Sequence, residues 1–284
     1  MLKNYYQLTK PGIIYGNAIT VVAGFLIASR GSVDWWLLLV TLLGISLIMA
    51  SGCVFNNYID RDIDALMERT KNRALVKGAV SLRGALFYGV FLGSLGTVLL
   101  FLYTNTLIVL VALGGLVAYV GLYSLRFKRT STHGTIVGSI SGAVPPVVGY
   151  LAVSNSVDLG VVILFFILAL WQMPHSFAIA IYRLEDYAKA NIPVLPVKKG
   201  IFITKIQMVI YITLFILATL ALPVFGYVGN AYFFTMSLFG IVWLTLAGKG
   251  FSTTNDKLWA RRMFIFSIVI LTIFSIMIAF DVVK

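Results

Sequence analysis

The chain has 284 residues, 60% of them apolar and 11% charged, less than half the charged share of about 25% in a soluble domain. A soluble globular fold is excluded, and with a single cysteine, Cys53, so is an intramolecular disulfide framework. The formal charge of +12 would suit nucleic acid, but in a membrane protein basic residues mark the cytoplasmic loops.

A helix crosses a bilayer with about 20 apolar residues. The polar first ten residues predict no cleavable leader. Nine spans follow, at 13–29, 35–58, 82–103, 106–126, 134–152, 160–182, 203–225, 230–248 and 261–281. Polar or glycine-containing breaks separate them, the longest at 60–81 and 183–202. An odd number of spans leaves the termini on opposite sides. Twenty of the 22 Lys and Arg then share the amino-terminal side: Lys3, Lys10, six in 61–83, three in 126–129, five in 183–205 and four in 249–262. Only Arg30 and Lys284 fall on the other. This asymmetry predicts a cytoplasmic amino terminus and a site opening to the cytoplasm. The expected fold is all-α, one transmembrane domain of nine helices bundled around a central cavity on the cytoplasmic side.

Chemistry concentrates at two span ends. The second span runs into Asn56-Asn57-Tyr58-Ile59-Asp60-Arg61-Asp62-Ile63-Asp64. Asn56, Asp60 and Asp64, four residues apart, stack on one face of a helix. Carboxylates at a membrane edge are costly unless used, and a row of oxygen donors suits a hard cation such as Mg2+ that shares its remaining sites with phosphate. The sixth span ends in Tyr182-Arg183-Leu184-Glu185-Asp186, with Tyr182 and Asp186 one turn apart. Each acidic end precedes a basic loop, four spans apart, a pattern of two four-helix parts plus a ninth helix. His175, two turns before Tyr182 and next to Pro174, is a polar side chain deep in a span and so a functional candidate. Gly138, Gly142, Pro145, Pro146 and Gly149 predict either a chamber wall or close helix packing. Cys53 reads as a packing residue.

These motifs resemble the intramembrane (UbiA-type) prenyltransferases over essentially the whole chain. The resemblance rests on Leu8-Thr9-Lys10-Pro11-Gly12, the 56–64 run, Gly142-Ala143-Val144-Pro145-Pro146, Trp171-Gln172-Met173-Pro174-His175 and Tyr182-Arg183-Leu184-Glu185-Asp186-Tyr187. The double proline and the Trp-to-His segment favour the branch that farnesylates heme. Asn57 stands where many members carry aspartate. The resemblance implies farnesyl diphosphate and heme b as substrates and heme O as product. It also implies a cell (inner) membrane location, with heme-handling or terminal-oxidase assembly proteins as partners and no nucleic acid. Mg2+ would be held by Asn56, Asp60, Asp64 and Asp186, with Tyr182 beside it. Arg73, Lys77, Arg129 and Lys199 would be diphosphate donors, and His175 would contact the porphyrin. A quinone-type prenyltransferase shares the metal site and stays open on the residues alone. So do a transporter and a structural assembly subunit.

Overall fold

A computed structural model describes residues 1–283; Lys284, counted above on the sparsely charged side, lies outside the described residues. Among these residues, nine helices are long and apolar enough to span a membrane: Pro11–Ser29, Trp35–Ile59, Leu82–Tyr103, Thr106–Thr130, Gly134–Ser154, Leu159–Tyr182, Leu195–Val224, Asn230–Ser252 and Asp256–Asp281. The chain is a multi-pass integral membrane protein. Side-chain caps fix several starts: Asp34, Ser81, Asn105, Asp158 and Asn255 each accept from the backbone N–H three residues on, satisfying donors that a helix start leaves free. The Asn255 cap explains why the ninth span starts at Asp256 rather than 261. The seventh starts at Leu195 rather than 203 because a short lead-in helix precedes a turn at Gly200, φ 84° and ψ 163°, a conformation open to glycine.

The second span packs along the third and the first along the fifth; the sixth rests on the seventh and ninth. Spans one and five meet backbone to backbone. A Cβ on Gly24 would collide with the Pro146 carbonyl oxygen, and one on Gly149 would collide with that of Val21. Small residues drive such contact where lipid offers no hydrophobic force. Large apolar side chains such as Phe87, Phe101, Leu110 and Phe234 point outward, as lipid-facing surfaces do. The connections after the second and sixth spans fold toward each other. Ile63, Met67, Ala190 and Ile192 form an apolar clasp with Tyr187 and Val194, which brings the two acidic span ends together.

Candidate functional site

Both acidic span ends share one local form. The second-span helix stops at Ile59, Asp60 leaves the helix at φ −85° and ψ 1°, and a six-residue helix Arg61–Leu66 follows. The sixth stops at Tyr182, turns at Arg183, and continues as Leu184–Lys189. The four-residue register survives the first break: the Asp60 N–H donates to the Asn56 carbonyl at 2.9 Å and the Asp64 N–H to that of Asp60 at 2.7 Å.

The donor row is buried and cation-paired. Asp60 is 0% exposed. Its Oδ2 accepts from Asn56 Nδ2 at 2.9 Å and pairs with the Lys128 ammonium. Its Oδ1 is buried with no hydrogen-bond partner, the Arg129 guanidinium standing 3.7 Å away. Asn56 Nδ2 also donates to Ser124 Oγ at 2.9 Å, and its Oδ1 receives the Lys10 ammonium. Asp64 accepts from Arg73 at 2.5 Å. Arg129 grips Asp62 with two bonds of 2.7 Å, and this hydrogen bonding holds the Asp62 carboxyl down at about 2. Burial among other cations lowers Lys10 to about 8.

Asp186, buried in the second cluster, accepts the Glu68 N–H at 3.1 Å. That bond joins the two clusters directly. Tyr182 lies under the Arg183 guanidinium, 4.6 Å from ring centroid to Cζ, and makes no hydrogen bond to Asp186 among the described residues. Lys77 and Lys199 are exposed and form no ion pair among those residues.

A cavity of about 670 Å³ adjoins the row. Arg69 and Lys128 are its charged lining residues, and Tyr119, Tyr123, Tyr187, Trp171, His175 and Phe264 its aromatic ones. Gly138, Gly142 and Pro145 line it, whereas Gly149 and Pro146 pack against the first span; the Gly/Pro segment is both wall and helix contact. His175 stacks on Trp171 at 4.6 Å. Its Nδ1 shares a hydrogen bond with Ser267 Oγ at 2.7 Å, and Trp171 Nε1 donates to the Ser267 carbonyl at 2.7 Å. The ninth span therefore fixes the imidazole.

Lys10, Lys128, Ser124 and Asn57 also belong to the site, although none of them was among the expected metal ligands or diphosphate donors. Lys128 arrives through a π-helix over Ala118–Phe127. In an α-helix Tyr119 and Lys128 are two and a half turns apart and point oppositely. Here the i→i+5 pattern, seen in Lys128 N–H to the Tyr123 carbonyl, brings Tyr119, Tyr123, Ser124 and Lys128 to one side. Such wide turns cluster at functional sites. Asn57 Nδ2 donates to the Leu8 carbonyl at 2.8 Å and that of Cys53 at 3.0 Å. Aspartate could not donate there, so this position ties down the segment that carries Lys10.

The profile of the UbiA prenyltransferase family matches residues 17–269. The chain belongs to the UbiA prenyltransferase family. A protoheme IX farnesyltransferase of Yersinia pseudotuberculosis serotype O:1b (strain IP 31758) is 54% identical over 281 residues, covering 99% of this chain and 95% of its own. The structure of a digeranylgeranylglyceryl phosphate synthase superposes with TM-score 0.80 at 21% identity, over 98% of each chain. A UbiA homologue from Archaeoglobus fulgidus, bound to DMAPP and Mg2+, superposes with TM-score 0.70 at 18% identity, over 97% of this chain and 99% of its own. The UbiA fold is thus shared along nearly the whole chain.

Among the described residues, no three His, Cys, Asp or Glu side chains converge on one point. Mg2+ does not need that: it keeps several waters and takes one or two carboxylates plus phosphate oxygens. A buried carboxylate oxygen without a partner, beside an amide oxygen, fits that demand.

Proposed function

We propose that this UbiA-family chain transfers the farnesyl group of farnesyl diphosphate to a vinyl group of heme b, giving heme O and diphosphate. The acceptor is supported by the 54% identity to a protein named protoheme IX farnesyltransferase. One observation carries the reaction class: a buried, cation-paired oxygen row beside a large aromatic-lined cavity. Asn56, Asp60, Asp64 and Asp186 are the residues that would hold Mg2+, with Tyr182 beside the last. Mg2+ bound there would supply Lewis-acid stabilisation of the charge that develops on diphosphate.

The chain's own groups do the rest. Arg73, Arg129, Lys77 and Lys199 offer positive charge to the departing anion. As the allylic C–O bond breaks, its electrons leave with diphosphate. The vinyl terminus bonds to farnesyl C1, and the cation left beside the porphyrin ring takes up water and loses a proton. The aromatic and aliphatic lining keeps water from the farnesyl cation before that bond forms. His175, held by Trp171 and Ser267, contacts the porphyrin. The chain sits in the cell (inner) membrane with its amino terminus and this site on the cytoplasmic side, as the 20-to-2 split of basic residues supports.

The test offers the purified protein farnesyl diphosphate with Mg2+ and, in parallel, heme b or 4-hydroxybenzoate. Diphosphate release that depends on heme b is expected. Prenylation of 4-hydroxybenzoate with heme b untouched would overturn the acceptor assignment, and no release with either would overturn the reaction class.

A further inference from the structure

Two lysines from distant parts of the chain occupy the oxygens a metal would need. Lys10 precedes the first span and places its ammonium on Asn56 Oδ1; Lys128 follows the π-helix and places its own on Asp60. Among the described residues neither side chain has another partner. Lys10 is held in the left-handed region, φ 52° and ψ 64°, a cost that a lysine bears only where its surroundings impose it. The Asn57-to-Leu8 bond anchors the segment that carries Lys10. Lys128 lines the cavity, so it borders both the carboxylate and the space a substrate would fill. Lysine suits such a double role, being a compact charge on a flexible stem.

We propose that Lys10 and Lys128 are placeholders for the metal: Lys10 occupies the Asn56 amide oxygen and Lys128 neutralises Asp60, and both transfer to the diphosphate when metal takes those oxygens. This rests on the metal-diphosphate reading above and deepens it. A buried carboxylate without a counter-charge is expensive, so the resting site needs cations. Metal alone must evict two ammoniums that then have no anion to receive them. Metal arriving with diphosphate gives the ammoniums a partner. Each lysine therefore opposes metal alone and favours metal with substrate.

The experiment measures Mn2+ binding to the purified full chain by electron paramagnetic resonance. A second titration measures farnesyl thiodiphosphate, which resists ionisation, at saturating Mn2+. Wild type is compared with Lys10→Met, Lys128→Met and the more polar Lys10→Gln and Lys128→Gln. In each folded variant Mn2+ alone should bind several-fold more tightly, while the thiodiphosphate should bind about tenfold more weakly, within the usual range of site-to-site coupling. Opposite signs are what a purely structural lysine would not give. Both affinities falling together, or Mn2+ alone binding as in wild type, would overturn the exchange. Wild type binding no thiodiphosphate would instead overturn the proposed function.

Discussion

Replacing Asp60 by asparagine keeps the shape and removes the charge at the centre of the site. Asp60 is fully buried, paired to Lys128 and hydrogen-bonded to Asn56 at 2.9 Å. Its second oxygen has no partner. In the variant the amide oxygen must face the two donors, which puts the amide NH2 where no acceptor waits. Breaking a buried pair costs about 3–5 kcal/mol, but Lys128 is 16% exposed and can reach the cavity. About 2 kcal/mol remains, which lowers the thermal midpoint by roughly 4–8 °C. Activity should fall much further. A group aimed at developing charge is worth about 10²–10³ in rate. Asp158→Ala is the control. It deletes a helix cap and a 2.7 Å bond from Tyr150 at the far end of the bundle, each worth about 1 kcal/mol. It should match the thermal loss and keep heme O formation within a few-fold of wild type. Equal activities for Asp60→Asn and Asp158→Ala, by heme chromatography over a Mg2+ series, would refute the assignment of Asp60.

His175→Ala should weaken heme b binding about tenfold, or ~1.4 kcal/mol, and leave the KM for farnesyl diphosphate unchanged; heme titration by absorbance and initial rates check the two. Gly149→Ala should cost about 1–3 kcal/mol, because its Cβ collides with the Val21 backbone. Gly142→Ala meets only the movable Gln172 amide and should alter acceptor KM more than stability; melting curves and initial rates separate the two. Asp62 has a depressed folded pKa of about 2, so its stabilisation is present above the unfolded value of about 3.9 and lost as pH falls through 2. Asp62 is 62% exposed, which limits the effect to under about 1 kcal/mol. Asp62→Asn should therefore melt slightly below wild type at pH 7, with the gap closing near pH 2, as paired thermal scans would show.

The spans were legible because a bilayer demands a long apolar run whatever the packing around it. The Asn56-Asp60-Asp64 row was legible because its spacing matches a helical turn. The break at Asp60 did not disturb that spacing. What escaped had a physical cause. Lys10 reads as one more basic residue before a span; its role depends on a left-handed turn, and only the Lys-Pro-Gly string signals it. Lys128 counts in sequence as one more basic residue after the fourth span; α-periodicity would turn it away from Tyr119, and only the π-helix brings the two together. Asn57 looked like a lost acid, yet its amide donates where a carboxylate cannot. Lys77 and Lys199 seemed equal to Arg73 in sequence, but burial separates them: Arg73 reaches Asp64, while the two lysines stay exposed.

One bond decides the reaction, that between farnesyl and the heme. The direct measurement incubates the purified protein with heme b, farnesyl diphosphate and Mg2+ in 18O-enriched water and takes the mass of the extracted heme. The expected product carries one farnesyl group and one 18O hydroxyl, formed in equal amount with diphosphate. Unmodified heme alongside labelled farnesol would contradict the account.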